Sequence, residues 1–191
     1  MFIEVPNFLE ASDVEFCRRV FRKFVKDNPN EAMYNRMGKT VSLDDIKLSN
    51  DPDVTELHQR LFPVFYKIVK EVAIPNFQPE FEVADSGIEY HLYRPGDVCK
   101  FHSDGVAYLG NETRFKTSLL RFATVILHLS TNNDGGDIVF PKQERQFKTE
   151  AGKLLMFPPY SFYPHYTTPS SEEREILMTW LVYKDVTVTK K

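Results

Sequence analysis

The sequence predicts a mainly β domain, a sandwich or barrel, with supporting helices on its N-terminal side. About nine short strand-like segments follow residue 80, and turn residues rather than helices separate them. Two amphipathic helical patterns precede these segments. The 16 phenylalanines and 9 tyrosines suit β-strands that pack face to face.

The N-terminal stretch predicts a short strand followed by a helix. Residues 2–5 alternate in a strand-like way before Pro6 breaks the pattern. Residues 12–26 carry apolar side chains at helical spacing, and Ser12 with Glu15 has the sequence of a capping box. We therefore predict a helix over 12–26 that begins at Ser12.

A second helix is predicted after a stretch of weak pattern. Residues 31–49 are polar and irregular, which indicates a connection with one short strand, either at the surface or along a substrate cleft. Residues 53–72 have an amphipathic pattern and predict a helix with a kink at Pro63. We expect both helices to support one face of a sheet.

The strand predictions begin after Ile74. They cover residues 80–84, 87–94, 97–102, 119–130, 137–141, 145–148, 153–157, 162–165 and 174–184. The polar segment 105–118 interrupts them, and we interpret it either as a lid over a substrate or as a surface loop.

The length of 191 residues predicts a single domain, 1–191, in which 1–75 is helical support and 76–185 is the β core. The net charge of −3 and the scattered basic residues give no reason to expect a nucleic-acid partner. No apolar run approaches the roughly 18 residues of a membrane span, and no signal peptide is evident, so we predict a cytoplasmic protein without a membrane partner. Its two cysteines are too few for a disulfide framework. The sequence does not indicate an oligomeric state.

The pattern most informative about chemistry is His102-Ser103-Asp104, read together with a later histidine, His165. In an extended chain, residues two apart point to the same side, so His102 and Asp104 can converge on one ion. His165 would complete two imidazoles and one carboxylate, the ligand set of non-haem Fe(II) oxygenases. The sequence therefore predicts a metal site.

Several short motifs surround these residues in a specific order. They are Tyr93-Arg94-Pro95-Gly96, Arg121-Phe122-Ala123-Thr124, the stretch from Gly135 to Pro141, the stretch from Gly152 to Pro158, Pro164-His165, Arg174 and Trp180. In order and spacing the chain resembles the prolyl 4-hydroxylase branch of the 2-oxoglutarate/Fe(II) dioxygenases over roughly residues 80–185. The resemblance implies a double-stranded β-helix, the jelly roll also found in cupins.

The resemblance also implies an activity and its cofactors. Fe(II) held by His102, Asp104 and His165, with 2-oxoglutarate as cosubstrate and O2, would hydroxylate an unactivated C–H bond, with peptidyl-proline as the implied substrate. Ascorbate is a further implied reductant. Arg174 lies at the family's offset from the second histidine for the cation that binds the far carboxylate of 2-oxoglutarate.

Four further residues are predicted to contact the cosubstrate. Tyr93 matches a family tyrosine that donates its hydroxyl, and His128 stands where relatives commonly carry a tyrosine. Thr124 shares a strand face with His128, and Trp180 shares one with Arg174. A core role for His128 and a surface role for Arg174 are the structural alternatives.

Other interpretations stay open at the level of the sequence. His91 alternates with Tyr93 and could join a different ligand set, whereas Cys99 is predicted to be a buried structural thiol. The substrate could be a free amino acid or another small molecule instead of a peptide. The chain could also be a non-catalytic metal-binding jelly roll, or a cupin-type isomerase, which would have no use for Arg174.

Overall fold

The computed structural model describes residues 1–27, 33–35, 38–46, 51–79, 82–105 and 119–187. The strands of this part of the chain form two sheets. The strands are β1 (Ile3–Val5), β2 (Met33–Asn35), β3 (Gly38–Ser42), β4 (Val83–Asp85), β5 (Glu89–Tyr93), β6 (Leu119–His128), β7 (Ile138–Phe140), β8 (Arg145–Phe147), β9 (Leu154–Phe157), β10 (Tyr166–Thr167) and β11 (Arg174–Thr187). The main sheet has the order β1-β9-β6-β11-β5-β3-β2, with β4 also paired to β11, and the small sheet has the order β10-β7-β8. The pairings between these strands are antiparallel. The predicted mainly β, jelly-roll fold is confirmed.

Helices cover one side of the main sheet. They are α1 (Ala11–Asp27), α2 (Leu43–Ile46), α3 (Pro52–Lys67) with a π-helical continuation at Ile68–Ala73, and α4 (Ile74–Phe77). The predicted capping box is wrong, because the helix begins before Ser12 and the backbone amides of Asp13 and Val14 both donate to the carbonyl of Glu10. In α3 the helix passes through Pro63, and the wide π-helical turn comes after it. Within the described residues, none of the helices combines the length and apolar character needed to cross a membrane.

The N-terminal part of the chain supplies strands as well as helices. β1 pairs with β9 at one end of the main sheet, and β3 pairs with β5 towards the other. Most of segment 31–49 that was predicted to be irregular therefore lies in or beside β2, β3 and α2, although residues 31–32, 36–37 and 47–49 lie outside the described residues.

Side chains of the main sheet alternate between two cores, as the period of a strand requires. On the helix-facing side, Val125, Leu127 and Leu177 belong to the core that packs against the helices. On the inner side, Ile126, Ile176 and Met178 belong to the core shared with the small sheet. The inner side is the one that carries the candidate active-site residues.

Two strand predictions differ from the structure. Segment 97–102 forms no strand. Its backbone joins the fold through an antiparallel bridge between His102 and His165, and through the Cys99 carbonyl, which accepts from the Thr167 amide at 3.0 Å. The Cys99 amide donates to the Thr167 hydroxyl at 2.7 Å. The strand predicted over 162–165 starts later, as β10.

Candidate active site

Two backbone hydrogen bonds place the two histidines of the predicted metal site side by side. The amide of His102 donates to the carbonyl of His165 at 3.0 Å, and the amide of His165 donates back to His102 at 2.8 Å. The ring centroids are 4.4 Å apart. The geometry of the pair is thus fixed by the main chain, independently of what the imidazoles bind.

Nδ1 of each imidazole forms a hydrogen bond with a backbone carbonyl oxygen. Nδ1 of His102 lies 2.7 Å from the carbonyl oxygen of Lys100, and Nδ1 of His165 lies 3.1 Å from that of Tyr163. A carbonyl oxygen only accepts, so each Nδ1 is the protonated nitrogen. Nε2 of each ring is left available to a metal, which is the usual way a histidine ligand is oriented.

Asp104 completes this group. Its Oδ1 is 3.2 Å from Nε2 of His102, and its Oδ2 is 3.8 Å from Nε2 of His165. One ligand atom from each of the three side chains lies within 4.8 Å of the others. Ligand bonds of about 2 Å from each atom can meet at one ion under these conditions, so the residues fit the metal that the sequence predicts.

The pKa shifts of His102 and Asp104 show that these two side chains interact strongly. Burial lowers the pKa of His102, but hydrogen bonds to Asp104 and Cys99 outweigh burial and raise it to about 11. Burial raises the pKa of Asp104, whereas the hydrogen bond from His102 and the charge of His165 lower it below its usual value. The proton that His102 holds next to Asp104 occupies the place where a cation would bind, so metal binding would release it.

Arg174, on the inner side of β11, is the predicted cation for the cosubstrate. The residue is only 4% exposed, and its guanidinium carbon lies 4.5 Å from the ring centroid of Tyr93. Nε and Nη1 of Arg174 are buried and have no hydrogen-bond partner. Buried guanidinium nitrogens are almost always satisfied in folded proteins, so this pair fits an absent carboxylate.

Gly136 makes room for this arginine. A Cβ atom at Gly136 would lie 3.2 Å from Cδ of Arg174, and the φ angle of +72° is one that other residues rarely adopt. The motif that starts at Gly135 therefore lies against the Arg174 side chain.

Tyr93 and His128 flank the same region of the inner side. Burial raises the pKa of Tyr93 to about 12 although Arg174 lowers it, so the phenol keeps its proton for donation. His128 is fully buried, and both of its ring nitrogens lack a partner. Burial and the charges of Arg174 and Lys153 lower the pKa of His128 well below its usual value, so the ring is neutral.

The structure places Thr124 and Trp180 closer to the metal site than to Arg174. The hydroxyl of Thr124 donates to Oδ2 of Asp104 at 2.7 Å, so it orients a carboxylate of the protein rather than being free for the cosubstrate. Thr124 and Trp180 are neighbours across β6 and β11. Nε1 of Trp180 is buried and has no hydrogen-bond partner.

Arg121 is a site residue that the sequence analysis missed. Its Nη1 donates to the backbone carbonyl of Asp104 at 2.7 Å, and its guanidinium carbon stacks 3.6 Å from the ring centroid of Trp180. The register of β6 against β11 shifts between Leu181 and Val182, which leaves Phe122 as an extra residue in β6. Such a bulge reverses the alternation and turns Arg121 to the side of Asp104.

The alternative metal ligands lie apart from the cluster. Among the described residues, the group of side chains that could hold a metal contains His102, Asp104 and His165, and neither His91 nor His128. Cys99 is buried, as predicted, with its Sγ 3.5 Å from Nδ1 of His102. Sγ also lies 3.7 Å from Nε2 of the same ring.

Comparison with known sequences gives a family. Residues 88–182 match the sequence profile of the 2OG-Fe(II) oxygenase superfamily. This range contains the three candidate ligands, Arg174 and Trp180. Among curated proteins no sequence matches the chain.

Comparison with solved structures gives the same fold at low sequence identity. A viral collagen prolyl hydroxylase from Paramecium Bursaria Chlorella virus-1, solved in complex with 2OG, has 16% identity, a TM-score of 0.71, and 96% of each chain covered. A prolyl-4-hydroxylase from Pseudomonas putida has 19% identity and a TM-score of 0.63, with 96% of this chain and 92% of that chain covered. A prolyl hydroxylase from Trichoplax adhaerens, solved with a hypoxia inducible factor peptide fragment, has 17% identity and a TM-score of 0.67, with 95% and 83% covered.

The family match, the fold and the fit of the ligand atoms agree. The chain belongs to the 2OG-Fe(II) oxygenase superfamily and is a dioxygenase that uses Fe(II), 2-oxoglutarate and O2.

Proposed function

We propose that this dioxygenase hydroxylates a proline residue of a peptide or protein, with His102, Asp104 and His165 as the iron ligands. The observation that carries the proposal is the convergence of the three ligand atoms within 4.8 Å, beside a buried arginine with unpartnered nitrogens. The proline substrate is supported by the likeness in fold to three proteins named as prolyl hydroxylases.

The side chains of the site form two groups: one would hold the iron, and the other would bind the cosubstrate. When bound, the iron and 2-oxoglutarate supply an oxidation in which one oxygen atom of O2 enters a C–H bond and the other enters succinate, with release of CO2. The Nε2 atoms of His102 and His165 and the carboxylate of Asp104 hold the ion. Thr124 donates to Asp104 and keeps the carboxylate in place.

Arg174 would bind and orient the cosubstrate through its far carboxylate. The unpartnered Nε and Nη1 are donors, as the phenol of Tyr93 can be, and a neutral His128 can donate from one nitrogen. Apolar neighbours such as Ile126, Ile176 and Met178 exclude water from this side of the sheet. Exclusion of water strengthens the charged contacts to a bound dicarboxylate.

The experiment that tests the proposal measures succinate formation and peptide oxidation with Fe(II), 2-oxoglutarate and O2. We expect the wild-type chain to form succinate and to add one oxygen atom to proline-containing peptides, as read by mass spectrometry. His102→Ala should abolish both signals. His58→Ala, which alters a histidine of α3 outside the cluster, should leave both signals unchanged.

Separate arms of the experiment distinguish the substrates. Free proline and other free amino acids are offered beside the peptides, so oxidation confined to a free amino acid would replace the peptide assignment. Equal succinate formation by wild type and by His102→Ala would contradict the proposed ligand set.

A further inference from the structure

The inner side of the main sheet carries more unpartnered polar atoms than one cosubstrate can use. The buried side-chain atoms without a hydrogen-bond partner include Nε and Nη1 of Arg174, both ring nitrogens of His128, Nε1 of Trp180 and Nδ1 of His91. The far carboxylate of 2-oxoglutarate would engage Arg174 and His128 in the proposed function. His91 and Trp180 are left over, and His91 lies on a strand, β5, that carries neither Arg174 nor His128.

His91 forms a pair with Glu89 on the inner side of β5. Its Nε2 lies 2.9 Å from Oε2 of Glu89, the side chain of His91 is 2% exposed, and that of Glu89 is 35% exposed. Glu89, His91 and Tyr93 share this side by the period of the strand. The pair thus reaches from the buried interior towards solvent.

The strand register places the Glu89 and His91 pair beside the residues already described. His91 lies opposite Ile176, whose other neighbour across the sheet is His128. Glu89 lies opposite Met178, and Trp180 follows Met178 on the same side of β11. The pair therefore lies between the region of Arg174 and the region of Trp180.

Arg121 also lies on this side of the sheet. It donates to the backbone carbonyl of Asp104, and its guanidinium carbon stacks 3.6 Å from the ring centroid of Trp180. Trp180 follows Met178, the residue opposite Glu89, on the same side of β11. Glu89 therefore lies on the same side of the sheet as a group that touches Asp104.

The Glu89 and His91 pair has the wrong polarity for the cosubstrate. The carboxylate of Glu89 accepts a hydrogen bond from Nε2 of His91 and is partly exposed. A carboxylate of 2-oxoglutarate placed here would meet the like charge of Glu89. A ligand group that binds Glu89 must donate hydrogen bonds, and a cation does so with a favourable charge as well.

We propose that the substrate carries a cationic group, an amine or a guanidinium, next to the carbon that is hydroxylated, and that Glu89 binds this group. His91 acts as the positioning residue that orients the Glu89 carboxylate. The inference rests on the proposed function, and it adds the substrate class. A basic residue beside the target proline of a peptide and the cation of a free basic amino acid are the two sources of this chemistry.

The test compares matched peptides that differ only next to the target proline, where they carry lysine, norleucine or glutamate. We expect the wild-type chain to oxidise the lysine peptide with a kcat/KM about 10-fold to 100-fold higher than the norleucine peptide, the usual range for one charge-assisted hydrogen bond. The glutamate peptide should be the poorest of the three. Free lysine, arginine and proline form a second arm that identifies the source of the cation.

Variants assign the preference to Glu89. Glu89→Gln should remove the preference for lysine over norleucine, and Glu89→Lys should reverse it towards glutamate. The matched control is Glu82→Gln, because Glu82 is a highly exposed carboxylate that pairs with Lys184. Peptide binding is measured in parallel by fluorescence anisotropy with Mn(II) and 2-oxoglutarate in the absence of O2, which reports recognition without turnover.

Two results would overturn the inference. One is equal oxidation and equal binding of the three peptides together with no charge preference among the free amino acids. The other is a loss in Glu89→Gln that is the same for every substrate, since that pattern indicates a structural role. Absence of succinate formation under all conditions would instead refute the proposed function, and the inference with it.

Discussion

Arg174 and Glu175 are adjacent in β11, both are charged and both are buried, yet their surroundings are opposite. Glu175, on the helix-facing side, is fully buried and accepts hydrogen bonds from Arg18, Arg22 and Tyr90 at 2.6 to 3.1 Å. Arg174, on the inner side, has two guanidinium nitrogens without a partner.

The comparison separates a structural charge from a functional one. A buried ion is tolerated when the protein supplies its partners, as α1 does for Glu175 through Arg18 and Arg22. Buried donors of an ion that have no acceptor in the protein indicate a partner from outside the chain. Burial and charge do not distinguish the two residues. The presence or absence of hydrogen-bond partners does, and it therefore indicates which residue is functional.

The largest expected effect is on stability, from removal of Glu175. Glu175→Ala leaves Arg18 and Arg22 without their shared carboxylate and Tyr90 without its acceptor, so we expect a loss of about 3 to 5 kcal/mol in the free energy of unfolding. Urea denaturation followed by circular dichroism measures the change. Arg19→Ala, which removes an ion pair between two more exposed side chains, is the control and should show no resolvable loss. A Glu175→Ala variant as stable as the control would contradict the structural role.

The next largest effect is on activity, from removal of Arg174. Arg174→Met keeps the length of the side chain but removes the donors, so we expect about a 100-fold fall in kcat/KM for 2-oxoglutarate, or roughly 2.7 kcal/mol. The free energy of unfolding should stay unchanged or rise, because two buried donors without acceptors are removed. Succinate formation and thermal denaturation measure the two quantities.

The same variant has a readout that does not need turnover. Wild type should gain thermal stability from 2-oxoglutarate with Mn(II), because a ligand that binds the native state stabilises it. Arg174→Met should lose that gain, and Arg174→Lys should keep part of it. A full stabilisation of Arg174→Met would exclude Arg174 as the carboxylate site.

The smallest effect is a dependence of stability on pH that comes from Glu175. Burial raises the pKa of Glu175, but the hydrogen bonds from Arg22, Tyr90 and Arg18 lower it below its usual value. A lowered pKa in the native state gives stability that is present above the unfolded pKa of about 4.3 and is lost as the pH falls through the native pKa. The stability difference between wild type and Glu175→Gln should therefore be largest near pH 7 and should shrink below about pH 4. A difference that does not change with pH would contradict this reading.

The sequence was sufficient for the features that depend on local period and on motif order. Period two along β11 placed Arg174 and Trp180 on one side, and the structure has them there together with Ile176 and Met178. The helical spacing over 12–26 gave α1 to within one residue at each end. The spacing of His102 and Asp104 predicted that their side chains converge, because this depends only on the local backbone between the two residues.

The features that the sequence did not predict depend on contacts between distant segments. The strand predicted over 97–102 is absent, because only the Cys99 carbonyl pairs with the backbone of Thr167, whereas the Cys99 amide bonds to the Thr167 side chain. Arg121 was missed because an extra residue at Phe122 reverses the alternation of β6, and a bulge has no clear signature in the residues themselves. A role for the Glu89 and His91 pair was missed because it depends on which groups of β11 lie beside the pair in the sheet. The lid interpretation of segment 105–118 falls almost wholly outside the described residues.

The reciprocal backbone bonds between His102 and His165 have a consequence for how the iron is exchanged. Because the main chain already holds these two imidazoles together, loss of the ion does not scatter its ligands. The metal-free protein should keep its tertiary structure and accept a fresh ion quickly, without refolding. Iron supply in the surroundings, rather than the folding history of the chain, would then set the fraction of active molecules.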